Sequence, residues 1–171
     1  LRRGVVRRTF GTVGKTRRRD LALAAVAIAI VVVALAPRGG GGAHVIVVAD
    51  PRRTPGVLNP DVTQANIRST ICHHGWTATI RPASSYTDAL KRRQMRQYHE
   101  TGSMSDYQED HFISLELGGD PTNPRNLWPE PYPRASQMDQ TENELNAEVC
   151  SGKLTLVQGQ AKEAQIKYTQ G

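Results

Sequence analysis

Cysteine is scarce in this chain, repeats are missing, and outside one short segment neither charge is in excess. Of the 171 residues only Cys72 and Cys150 are cysteines. No Cys-x-x-Cys pair occurs, and Cys72-His73-His74 cannot easily turn three neighbouring side chains towards one ion, so a cysteine-based zinc site is disfavoured. The length suits one domain of ordinary size and excludes a multidomain machine. The formal net charge is +6, but residues 1–20 hold eight basic residues and one acid, whereas residues 21–171 hold 14 basic and 15 acidic residues. Whole-chain basicity is therefore no argument for a nucleic-acid partner.

What the first segment does contain points elsewhere. Its basic run is followed by Leu21 to Ala36, 16 residues without a charge or a strongly polar group. As a helix this stretch would span roughly 24 Å, between the length of a signal-peptide core and that of a membrane span. A secretory leader and an uncleaved N-terminal anchor both fit, and either places the following chain outside the cytoplasmic membrane, secreted or held at its outer face. A buried core helix fits less well, because the apolar surface is unbroken all round. Residues 37–53, with Gly39 to Gly42 and Asp50-Pro51, read as a flexible linker, so the expected order is leader or anchor over 1–36, linker over 37–53 and a folded domain over 54–171. Export puts the two cysteines in an oxidising compartment, where one disulfide between Cys72 and Cys150 is expected; two separate buried thiols are the alternative.

Within the domain, Asn59-Pro60-Asp61 predicts a turn into a helix reaching about Cys72. The alternation of Trp76 to Arg81 predicts a short strand. A helix is expected from about Tyr86 to His99, carrying the basic Lys91, Arg92, Arg93 and Arg96, and a strand from Asp110 to Leu117. Gly118-Gly119-Asp120-Pro121 forces a turn, Asn126-Leu127-Trp128 returns as a short strand, and Pro129, Pro131 and Pro133 are expected to stop it. Helices are expected again over about 135–150, ended by Ser151-Gly152, and over about 155–168.

Strand, glycine turn, short strand and helix, with Asp110-His111 on the first strand and Asn126-Leu127 at the second, resembles the ββα-metal core of the HNH endonuclease family over about 45 residues, from Tyr107 to Cys150. More widely, Thr54-Pro55-Gly56, Asn59-Pro60, Ile71-Cys72, Gly75-Trp76-Thr77 and Asn126-Leu127-Trp128-Pro129 resemble exported bacterial HNH-type proteins. The resemblance implies an α+β fold with further helices around the core. It also implies hydrolysis of phosphodiester bonds to a 5′-phosphate and a 3′-hydroxyl, and an asparagine at Asn126 that ties the loop and orients the base. The family's helix position usually holds His or Asn, which favours Asn143 as the ligand there, with Asp139 and Asn146 as rivals. Ser114 stands where related exported sequences often have Pro.

The residue chemistry stands beside that resemblance. Phosphodiester hydrolysis needs a base to take a proton from water and a cation to stabilise the charge developing on the phosphate and the departing oxygen, so a metal-dependent endonuclease is expected. His111, which titrates near working pH, is the natural base, and Asp110 the first metal ligand. Asp139, Glu142, Asn143 and Asn146 share one face of the following helix, although a solvated face would look the same. Oxygen-rich ligands suit Mg²⁺ or Mn²⁺, with Zn²⁺ an alternative, and no small-molecule organic cofactor is expected. Arg92, Arg93, Arg96 and Arg125, with Lys91 and Arg134, are candidates to meet the phosphates of DNA, or alternatively RNA. The competing reading is a non-catalytic, envelope-tethered binding module that keeps an HNH-like shape.

Overall fold

The computed structural model describes residues 47–170. The expected leader or anchor over 1–36 and most of the expected linker lie outside the described residues. In chain order the elements are α1 (Trp76–Ile80), α2 (Ser84–Gln97), β1 (Tyr107–His111), β2 (Leu127–Pro131), α3 (Arg134–Cys150) and α4 (Leu156–Thr169), with short 3₁₀ turns between them. β1 and β2 form a two-stranded antiparallel sheet, with Asp110 opposite Trp128 and His111 opposite Leu127. The fold is thus mixed α+β, and among the described residues no helix is long and apolar enough to cross a membrane.

The packing stripes follow helical spacing. α3 buries Ala135, Met138, Glu142, Leu145 and Val149, three or four residues apart, and packs against both strands. α4 starts at a capping box between Thr155 and Gln158 and buries Leu156, Gly159, Gln160, Glu163 and Lys167. Two of those five are ionisable, so this stripe is not an ordinary apolar one. The core gathers Phe112, Leu117, Trp128 and Val149, each at most 1 % exposed.

Several elements depart from the sequence reading. Residues 61–72 form turns, with a 3₁₀ turn only at Ile67–Ser69. The side chain of Asn59 accepts from Asp61 N, and that of Asn66 accepts from Thr63 N and donates to Asp61 O. These local bonds satisfy the backbone in place of a helix. The strand expected over 76–81 is the short helix α1. An isolated strand has no partner for its backbone groups, whereas here Ala78 N donates to Gly75 O and Arg81 N to Thr77 O. β1 ends at His111, not at Leu117, because the Asn126 side chain takes both polar groups of Ile113.

β2 runs through Pro129 and Pro131, which were expected to end it. Phe112 N donates to Asn126 O, so the backbone groups of residues 126, 128 and 130 face β1 and those of residues 129 and 131 face away. The missing proline donors therefore fall on the free edge of the sheet. Packed chain also begins before Thr54: Ala49 is buried, Val47 packs on the core, and Asp50 N donates to the Tyr98 hydroxyl.

Cys72 and Cys150 form a disulfide across 78 residues, as expected, joining the turns before α1 to the end of α3. A loop of that length implies about 4–5 kcal/mol of stabilisation in the chain-entropy account. The Cys72→Ala/Cys150→Ala double variant should lose stability of that order in urea unfolding, with the midpoint shifted downward.

Candidate active site

His111 ends β1, and its Nε2 lies 3.0 Å from Pro121 O. A carbonyl oxygen only accepts, so in the neutral ring Nε2 carries the proton and Nδ1 keeps a lone pair. Burial lowers the pKa of the ring below its ordinary value, against the opposing pull of the Pro121 carbonyl and the Asp110 charge. The imidazole is consequently neutral at neutral pH, in the form that accepts a proton.

Pro121 is held in place by Asn126. Asn126 Oδ1 accepts from Ile113 N at 2.9 Å, and its Nδ2 donates to Ile113 O at 3.0 Å and Asp120 O at 2.9 Å. This buried amide spans the whole turn between the strands. Gly119 sits against it so closely that an added Cβ would overlap the Ile113 carbonyl, while Gly118 turns the chain with φ of 77°. The loop is fixed on its other side by α2, through Gln94 Nε2 to Pro124 O at 2.8 Å and through the Tyr86 hydroxyl to Thr122 O.

A cleft of about 290 Å³ is lined by Asp110, His111, Glu116, Asp139, Glu142 and Asn143, together with Arg81 and Gln108. Five residues singled out in the sequence, Asp110, His111, Asp139, Glu142 and Asn143, thus share one cavity. Asn146 serves elsewhere, donating to Glu116 O at 2.7 Å and Ile71 O at 3.2 Å, which ties α3 to the chain before α1. Arg92, Arg93, Arg96 and Arg125 are exposed and do not line the cleft. Lys91 is bound into the fold, donating to Met104 O and Tyr107 O. Arg134 donates to Gln137 Oε1 at 3.4 Å.

Arg81 was missed by the sequence reading. Its charge bears on both His111 and Glu116, helping to lower the first and opposing the upward push of burial on the second. The expected strand over 76–81 gave no reason to aim it at this cavity, whereas the end of α1 does.

Lys167 was missed as well. From α4, its fully buried ammonium reaches Asp110 Oδ2 at 2.7 Å, Glu142 Oε1 at 2.6 Å and His111 O at 2.6 Å, with Glu163 Oε1 at 3.7 Å. Burial opposes the charge, but Asp110, Glu142 and Glu163 together raise the pKa of this lysine well above its ordinary value. Burial likewise works against ionised Asp110, and there the Lys167 charge wins and holds the carboxyl below its usual range. The other carboxyls go the opposite way. Burial, reinforced by the Asp110 charge, pushes Glu130 up to about 9, and burial raises Glu163 to about 7 and Glu142 well above the ordinary range. No donor reaches either oxygen of Glu130, and in its protonated form it can itself donate to Asp110.

These contacts bear on the expected metal ligands. A divalent ion needs carboxylate oxygens open to it. Asp110 instead has Oδ2 on the Lys167 ammonium and Oδ1 accepting from Gln108 Nε2 at 3.2 Å. A divalent ion on Asp110 would meet that ammonium as a like charge at close range, a repulsion of several kcal/mol even at an effective dielectric of about 20. Asp139 and Asn143 are exposed on the rim, with Asn143 Nδ2 donating to Asp139 O at 2.7 Å. As arranged, Asp110, Asp139 and Asn143 do not fit a divalent ion as one ligand set. Among the described residues no group of three or more His, Cys, Asp or Glu side chains is placed to hold one.

Set against protein-family models, curated proteins and solved structures, the chain matches none.

The raised Glu130 makes stability depend on pH with a definite sign. Its folded-state pKa, about 9, lies above the ordinary 4.5, so its contribution is fully present below pH 4.5 and is lost as pH rises towards 9. Glu130→Gln, which cannot ionise, should therefore show a smaller fall in Tm than the wild type over that range, measured by thermal unfolding at a series of pH values.

Proposed function

We propose that this chain is an HNH-type endonuclease that hydrolyses phosphodiester bonds of DNA, with RNA as a further substrate class, and that His111 is its general base. The observation that carries the reading is His111: Nε2 is committed to Pro121 O, leaving Nδ1 with a lone pair, and the residue lines the cleft. Nδ1 takes a proton from a water whose oxygen bonds to phosphorus, and the phosphorus–O3′ bond breaks. The departing 3′ oxygen takes a proton from solvent to leave a 3′-hydroxyl beside a 5′-phosphate, while the Arg81 guanidinium meets the negative charge that grows on the phosphoryl oxygens. Asn126 acts through the loop, keeping Pro121 and thus the tautomer in place. The order β1, glycine turn, β2, α3 supports the likeness to the ββα core.

The substrate backbone would reach the cleft along exposed α2 and the 120–126 loop, where Arg92, Arg93, Arg96 and Arg125 supply positive charge. Contacts of this kind bind without reading bases, and affinity should fall with added salt. The disulfide suits an oxidising compartment, in keeping with action outside the cytoplasm.

One observation favours a second reading. Lys167 engages the carboxylate that the resemblance assigns to metal, as it would in a binding module that keeps the shape without the reaction. Incubating the full chain with plasmid DNA separates the two, with Mg²⁺ or Mn²⁺ and with chelator in parallel. The enzyme should nick the plasmid, and His111→Ala should lower the rate by about 100- to 10,000-fold. The acid limb of kcat/KM should fall at a pH below the ordinary histidine value of 6.5, since burial lowers the His111 pKa. Plasmid retarded on a gel yet never nicked would support the binding module, and equal nicking by His111→Ala would remove His111 from the reaction.

A further inference from the structure

The polar partners of Lys167 Nζ are all oxygens. Its three hydrogens are matched by three acceptors at 2.6–2.7 Å: Asp110 Oδ2 and His111 O from β1, and Glu142 Oε1 from α3. Glu163 Oε1, one turn earlier on α4, lies at 3.7 Å. All four residues, like Lys167 itself, are buried. Carboxylate and carbonyl oxygens converging from several elements are the donor set of a hard cation. Here the cation belongs to the chain.

We infer that Lys167 is the resident cation of this site: its ammonium stands beside Asp110 where a divalent ion would sit, so the native chain takes no Mg²⁺ or Mn²⁺ at these oxygens. The inference rests on the buried oxygen shell and holds whether or not the chain cleaves nucleic acid. Because the ammonium bonds both the Asp110 carboxylate and the His111 carbonyl, it is also a positioning residue for the end of β1. A neutral side chain in its place leaves Asp110, Glu142 and Glu163 facing one another without a counter-charge. Those oxygens, freed of the ammonium, are then open to close in on a divalent cation.

Mn²⁺ alone is the probe, added to the full chain. In the wild type labelled with ¹⁵N-lysine, any broadening of the Lys167 ammonium resonance by Mn²⁺ should be the same with and without Asp110→Asn, because surface-bound Mn²⁺ broadens at a distance and does not depend on the Asp110 carboxylate. Lys167→Met should gain a saturable Mn²⁺ site at least roughly tenfold tighter than any in the wild type, read by electron paramagnetic resonance. Adding Asp110→Asn to that variant should abolish the gain. A Lys167→Met chain that folds only when Mn²⁺ is present gives the same answer by circular dichroism. Saturable Mn²⁺ binding by the wild type that broadens the Lys167 resonance and is lost in Asp110→Asn would overturn the inference, as would a folded Lys167→Met with no gain. Should that variant fold under neither condition, the wild-type resonance decides alone.

Discussion

Lys167 holds a charge where no water can reach it. An ion in such a place costs several kcal/mol unless opposite charge and hydrogen-bond acceptors surround it. The chain supplies them from β1 and α3, so α4 can dock only if both elements present their oxygens together. Four carboxyls crowd round one ammonium, and they cannot all ionise. Asp110 keeps its negative charge against the Lys167 ammonium, whereas burial pushes Glu130 and Glu142 towards the neutral form. The ammonium is thus met by one firmly ionised carboxylate, with burial pushing the other carboxyls towards protonation, an arrangement that a low-dielectric interior can bear.

A second, uncharged device governs the other side of His111. Asn126 satisfies two polar groups of Ile113 and one of Asp120, closing the turn so tightly that only glycine fits at position 119. The same turn carries Pro121 to the imidazole. His111 is thereby fixed twice: its carbonyl by the Lys167 ammonium, its ring by the Pro121 carbonyl. The ion pair sets the electrostatics behind the cleft and the amide sets the tautomer within it.

Much of this was legible from residues 84–170. α2, α3 and α4 lie within a few residues of their expected ranges, and α3 ends at Ser151-Gly152 as such a pair favours. The turn at Gly118-Gly119 and the position of Asn126 were legible for the same local reasons. Strand ends were not. Whether proline stops a strand depends on which edge it faces, and that is known only once the partner and register are known. The alternation of Trp76 to Arg81 suggested a strand, yet no neighbour was there to pair with it, and a single helical turn satisfied the backbone instead.

Local chemistry in the chain determined which groups stand near the cleft: a histidine after an aspartate, an asparagine fifteen residues later, a helix with oxygen-bearing side chains. What those groups face was decided by tertiary structure. Glu163 and Lys167, four apart on one helix, have the spacing of an ordinary solvated pair, and nothing in that spacing says that Asp110, 57 residues earlier, will share the ammonium. Periodicity records what a residue does within its own element. An ion pair between elements depends on the closure of the whole chain, and leaves no local mark by which to foresee it.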